Sequence, residues 1–297
     1  DHFTAKGIDP QELADRLVGV PGWDTAQRLL PDFVDELQAT AHAANMPWRQ
    51  VAALSMLDES WALTGGMACT AVAVTRGRQR FAGQNMDLPL WTDGLQTVVN
   101  VRDQNGIGVI AATYPGSLAT CGVNSNGVVV IVNALDLATD LSGIPVDFVT
   151  RAALHQPTAR DAIELVRSLP HAVGQTYTIL DATDLYMVEA AADGVLDVPL
   201  DPNVSIHTNH AFTRDHEVTV SSRARLEAIA ALRDRLLEVW DLAEALENRD
   251  SGVCQVPGRF TADMYTFMGV LGDCATGRAW VNVAPASGGR FTEYTFT

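Results

Sequence analysis

The sequence predicts an α+β fold, because three patterns follow one another along its 297 residues. Apolar residues at helical spacing run through residue 68, strand-like apolar runs begin at Cys69, and further helical stretches lie between later strands. Taken in order, Asp9 and Pro10 supply a cap and a first helical turn. Asp24 opens a helix with Ala26, Leu29, Leu30, Phe33, Val34 and Leu37 at helical spacing, and Pro47 starts another through Leu57. His42, Trp48 and Trp61 in this region are read as packing or surface residues. Gly65 and Gly66 break the helical pattern just ahead of Ala68, as either a plain loop or a flexible cleavage site would.

From Cys69 the period changes. Strands are predicted at 69–75, 80–86, 97–102, 107–113 and 127–133, with Asp103 to Gly106 and Asn124 to Gly127 as turns in which Gly and Asn adopt positive φ. Residues 146–154 and 158–168 read as helices, the second opened by a Thr158 to Asp161 capping arrangement. Strands resume at 176–180, 185–190 and 204–208, helix fills about 220–247, and 264–271, 278–283 and 290–296 form an antiparallel meander. Neither an internal repeat nor a linker divides the chain, so 1–297 is expected to be one domain.

Composition narrows the function. A hydrophobic fraction of 47% suits a sizeable core, and the net charge of −16 disfavours nucleic acid and anionic membranes as partners. Lys6 is the lone lysine among 20 basic residues, a skew that bears on genome composition rather than mechanism. Cys69, Cys121, Cys254 and Cys274 show neither metal-site spacing nor the density of a disulfide scaffold, which points to free thiols in a reducing, cytoplasmic setting and to no metal or other cofactor. No apolar run reaches the length of a membrane helix.

The stretch Cys69 to Asp87 holds a candidate nucleophile and a carboxylate in one hairpin. Symmetry about Arg78 would place Cys69 opposite Asp87, with side chains roughly 5 Å apart at Cβ. A free thiol has a pKa near 8.5 and needs a base to become nucleophilic. No histidine is close in sequence; His207 or His210 would have to approach in space. An α-amino group on Cys69, with a pKa of about 8, would also serve, and it exists only after the chain is cut between Ala68 and Cys69. Oxyanion stabilisation asks for neutral donors, and Asn209 and Asn133 each end a strand-like run.

These residues resemble the penicillin acyltransferase-like amidohydrolases (the isopenicillin N acyltransferase, C45-type, family), a branch of the N-terminal-nucleophile hydrolases. The resemblance rests on Cys69-Thr70, on Gly83-Gln84-Asn85-Met86-Asp87, on Gly122-Val123-Asn124 with Gly127 and Asn133, on Thr208-Asn209-His210, and on Ser221 to Leu226. His210-Ala211-Phe212 departs from the family's direct His-Phe pair. The resemblance implies a four-layer αββα sandwich and autocatalytic division into a helical pro-segment or small subunit (1–68) and a catalytic large subunit (69–297), which would stay associated. It implies Cys69 as nucleophile through a thioester, Asp87 as orienter of the α-amine, Asn209 and Asn133 as oxyanion donors, and Arg223 as the family arginine in a structural or subunit role. The implied substrate is a small-molecule linear amide, with water, an acceptor amine or acyl-CoA as second partner.

Two other readings stand beside it. A bile-salt or acyl-homoserine-lactone type hydrolase would share fold and nucleophile, but those chains start near their nucleophile, whereas 68 residues precede Cys69 here. A non-catalytic small-molecule-binding protein on the same fold would stay uncut.

Overall fold

The computed structural model describes residues 9–64, 67–215 and 217–297. Helices α1 (Pro10–Val18), α2 (Pro21–Leu29), α3 (Pro31–Ala43), α4 (Trp48–Leu54) and α5 (Leu57–Thr64) precede the first strand. Strands β1 (Ala68–Arg76), β2 (Gln79–Pro89), β3 (Thr97–Arg102), β4 (Gly108–Thr113), β5 (Cys121–Asn124) and β6 (Val129–Ala134) follow, then α6 (Val146–Leu154) and α7 (Ala159–Ser168). Next come β7 (Gln175–Leu180), β8 (Leu185–Ala191), β9 (Gly194–Asp197) and β10 (Val204–His207), helices α8 (Val220–Ala230) and α9 (Val239–Leu246), and β11 (Met264–Asp273), β12 (Arg278–Asn282) and β13 (Thr292–Tyr294).

The strands form two antiparallel sheets, one of six in the order β10-β1-β2-β11-β12-β13 and one of seven in sequence order β3 to β9. Alternation along β1 shows how they stack. Ala71 and Ala73 enter a core shared with Ile110, Val129 and Ile131 of the other sheet, while Val72 and Val74 pack outward against Ile229 of α8 and Leu242 of α9. On the far face of the seven-stranded sheet, Val130, Val132 and Ile179 meet Trp23, Phe33 and Val51 of the N-terminal helices and Phe148 and Ile163 of α6 and α7. The order of layers is therefore helix, sheet, sheet, helix, the predicted αββα sandwich.

The predicted helix from Asp24 to Leu37 is two helices, since Pro31 removes a donor and starts α3. The helix after Pro47 likewise ends at Leu54, and α5 begins afresh at Leu57. Caps at Asp9 and Thr158 form as the sequence indicates, each side chain accepting from backbone N–H groups of the next turn. The first hairpin differs by one residue: its turn is the two-residue Gly77-Arg78, with Gly77 at φ 60° as the first central position, so Ala68 faces Asp87 and Cys69 faces Met86. Gly65 and Gly66 and the side chain of Trp61 lie outside the described residues. Among the described residues no helix is long and apolar enough to cross a membrane.

Candidate active site

The one-residue shift puts Cys69 and Asp87 on opposite faces of the six-stranded sheet. Cys69 points between the sheets, packed with Met86, Leu57 and the partly buried Met67, and is 1% exposed. Asp87 points the other way, toward α8, and is fully buried. Burial first, then the nearby charge of Asp87, pushes the Cys69 thiol well up, against hydrogen bonding from Gln84 and the field of Arg225. The Cys69 thiol is therefore protonated at neutral pH, and only a base at hand would make it nucleophilic.

Register brings Asn209 to Cys69. β10 pairs with β1 with Ala71 opposite His207, so Asn209, two residues beyond the end of β10, lies across from Cys69. There the side chain replaces the ladder: Cys69 N donates to Asn209 Oδ1 at 2.8 Å. Asn209 Nδ2 donates to the Ala134 carbonyl at 3.0 Å, which leaves its second N–H uncommitted by that bond.

Arg225 ties the site together. From α8 its Nη2 donates to Asn209 Oδ1 at 2.8 Å, while Nη1 donates to the Cys69 carbonyl and, at 2.9 Å, to Thr70 Oγ1. Asp87 Oδ2 stands 3.9 Å from Nη1 and accepts from Gln255 Nε2 at 2.5 Å, and Asp87 Oδ1 accepts from Thr266 Oγ1 at 2.6 Å. A bulge in β11 between Thr266 and Met268 sets Thr266 directly opposite Asp87. Burial raises the Asp87 carboxyl, and Arg225, Thr266 and Gln255 pull it back down. The aspartate thus reaches the Cys69 backbone through Arg225 rather than from across the strand.

Arg225 was missed by sequence reasoning, which singled out Arg223 two positions earlier. Arg223 is exposed. The signal was available, because Ser222, Arg225 and Ile229 recur at three- and four-residue spacing on the buried face of α8.

Asn133 lies on the same inner face of β6, fully buried, with Nδ2 donating to the His207 carbonyl at 3.3 Å and Oδ1 without a partner. Gln84, also facing inward, accepts from Val132 N at 2.8 Å and donates to its carbonyl at 2.5 Å, stitching the two sheets beside Cys69. The histidines are engaged elsewhere: His207 Nε2 meets Glu189 Oε1 at 3.1 Å and its Nδ1 faces the Thr208 carbonyl at 2.8 Å, while His210 Nδ1 meets Ser222 Oγ at 2.8 Å. Cys121, Cys254 and Cys274 are buried free thiols. Among the described residues no three His, Cys, Asp or Glu side chains are grouped to hold a metal. A groove of about 820 Å³ lined by Phe33, Glu36, Asp103, Arg151 and His155 follows the seam between α3 and α6, away from Cys69.

The model of the acyl-coenzyme A:6-aminopenicillanic acid acyl-transferase family matches residues 74–287. The chain belongs to this family. No curated protein sequence matches it. Among solved structures, the Caenorhabditis elegans ortholog of N-acylethanolamine-hydrolyzing acid amidase is similar at TM-score 0.52 and 14% identity, over 68% of this chain and 92% of that one. A variant of conjugated bile acid hydrolase from Clostridium perfringens is similar at TM-score 0.54 and 12% identity, over 77% and 97%. At such identities the likeness establishes the fold, that of the N-terminal-nucleophile hydrolases. The acyl-transferase family match takes in Asp87, Asn133, Asn209 and Arg225 and begins at Val74, just after Cys69.

Proposed function

We propose that this member of the acyl-transferase family is a self-processing cysteine amidohydrolase or acyltransferase that works on a small-molecule amide through a thioester on Cys69. The observation that carries the reading is the grip on Cys69 itself: Asn209 on its nitrogen, Arg225 on its carbonyl, and Asp87 behind the arginine.

In the first reaction Cys69 Sγ attacks the Ala68 carbonyl carbon, the Ala68–Cys69 C–N bond breaks, and the thiol proton ends on the Cys69 nitrogen. Water then hydrolyses the Ala68 thioester, leaving a carboxylate on Ala68 and a free thiol and α-amine on Cys69. The amine is the base that the buried thiol lacks. With one N–H donated to Asn209 Oδ1, its lone pair is held in a fixed direction. In the second reaction the thiolate attacks the substrate amide, the amine group leaves with the proton, and water or an acceptor amine resolves the thioester. A coenzyme A thioester would enter by the same acylation, with the coenzyme thiol as leaving group. The second N–H of Asn209 and the amide of Asn133 are the side-chain donors for the tetrahedral oxyanion.

Intact-mass analysis of purified wild-type protein tests this. Two polypeptides divided between Ala68 and Cys69 are expected, and Cys69→Ala should give one. A wild type that stays whole yet hydrolyses amides would end the N-terminal-nucleophile reading and make His207 or His210 the base to test. A whole, inactive wild type would favour a binding protein.

A further inference from the structure

We infer that Glu189, on the seven-stranded sheet, is a positioning residue that holds Asn209 against the nitrogen of Cys69 by gripping His207 and the turn that follows it. The inference deepens the proposed mechanism and rests on that reading only for its kinetic arm.

Strand register sets a polar row across the inner face of the sheet. Asn133 of β6 is directly opposite Thr176 of β7, and Thr176 is directly opposite Glu189 of β8. All three are fully buried between the sheets, beside apolar inward side chains such as Ile131, Leu180 and Ala71. Three adjacent polar side chains in a core destabilise the fold unless they are matched by partners. Each of them meets the same residue: Asn133 donates to the His207 carbonyl at 3.3 Å, Thr176 Oγ1 lies 3.1 Å from the His207 ring, and Glu189 Oε1 lies 3.1 Å from His207 Nε2. His207 ends β10, the edge strand of the other sheet, two residues before Asn209.

Glu189 then reaches past the strand. Phe212 N donates to its Oε1 at 2.6 Å, Thr213 N to its Oε2 at 3.0 Å, and the Thr213 hydroxyl to the same oxygen. Arg214 Nη1 adds a bond to the Glu189 carbonyl at 3.3 Å. Burial alone would raise this carboxyl, yet donation from His207, Thr213 and Phe212 holds it at about 2. Ser222 secures the opposite side of the turn, accepting from Asn209 N at 2.9 Å. Asn209 is thus clamped between α8 and the row. Only an ionised carboxylate accepts from all of these donors at once; an amide in its place would turn an N–H toward at least one of them.

The test separates geometry from chemistry. In the uncut Cys69→Ala protein, hydrogen exchange of the residue-69 amide reads the Asn209 contact with no reaction involved. Adding Glu189→Gln should speed that exchange by about tenfold or more, with the Val130 amide at the sheet centre unchanged. With Cys69 present, Glu189→Gln should slow division at Ala68–Cys69 by about ten- to a hundredfold, the range expected when a reacting group is displaced, and Glu189→Asp should recover part of the rate. If Glu189→Gln fails to fold, Thr213→Val removes one donor and should move both readouts the same way by less. Unchanged exchange at residue 69 in a folded variant overturns the positioning role. A wild type that never divides overturns the mechanism instead, and the exchange experiment still decides on Glu189.

Discussion

Arg225 and Arg223 differ by two positions in sequence and by the whole width of a helix in consequence. Replacing Arg225 with Met leaves Asp87 as a buried charge without a cation, so we expect a loss of about 3–5 kcal/mol in urea unfolding of the uncut Cys69→Ala protein. Arg223→Ala should stay within about 0.5 kcal/mol of its parent. Asn209→Ala is expected to lower turnover on the order of a hundredfold in a folded, divided enzyme, and wild-type kinetics would remove it from the oxyanion site. At this scale the sequence was informative about residue type and less so about partners. Cys69, Asp87, Asn133 and Asn209 all come to one region, but that Asp87 works behind Arg225 follows from which face of the strand it takes, and a single turn residue decides that. Asp87→Asn should therefore weaken the arginine's hold and slow division or turnover while the fold persists.

Elements with strong local signals formed where the sequence indicated. The caps at Asp9 and Thr158, the hairpin, the helices at α6 and α7 and the C-terminal meander are local events, settled by neighbours in the chain. The short strands β5 and β9 were not legible, because four residues carry too little periodicity and pairing across the sheet defines them. Helix α5 poses a further problem that no pattern reveals: Asp58 and Glu59 are buried beside Asp147 of α6, each with one oxygen lacking a partner, with Tyr114 and Tyr177 nearby. Burial raises Asp58 to about 7; burial and the charge of Asp58 raise Glu59 to about 8, and Asp147 shifts in the same direction. A carboxyl that binds its proton more tightly when folded contributes stability that is complete below its unfolded pKa, near 4, and is lost as pH rises through the folded value. Melting temperatures of the uncut Cys69→Ala protein should therefore fall between about pH 5 and 8, and the added pair Asp58→Asn and Glu59→Gln should flatten that slope. Parallel curves would refute the assignment.

On the scale of the molecule, the four-layer plan was legible only through the family resemblance; composition and period alone stop at α+β. What joins the N-terminal helices to the rest is a dispersed set of contacts. Glu36 pairs with Arg151 at 2.9 Å, Ser55 accepts from Leu118 N at 3.1 Å, Glu59 accepts from Val146 N at 2.9 Å, and Trp23, Phe33 and Val51 share the core of the seven-stranded sheet. After division, both fragments should co-elute in gel filtration and separate only in denaturant. The burial of Cys69 under Leu57 and Met67 has a consequence in time as well. Solutes cannot reach the thiol of the uncut chain, so iodoacetamide should label it only once division has occurred. The proposed division has no second reactant but water, so its half-life should be indifferent to dilution, which a dilution series followed by intact mass would check. On the proposed mechanism each molecule would carry its own clock, started at folding, and a population would come into activity by age rather than by abundance.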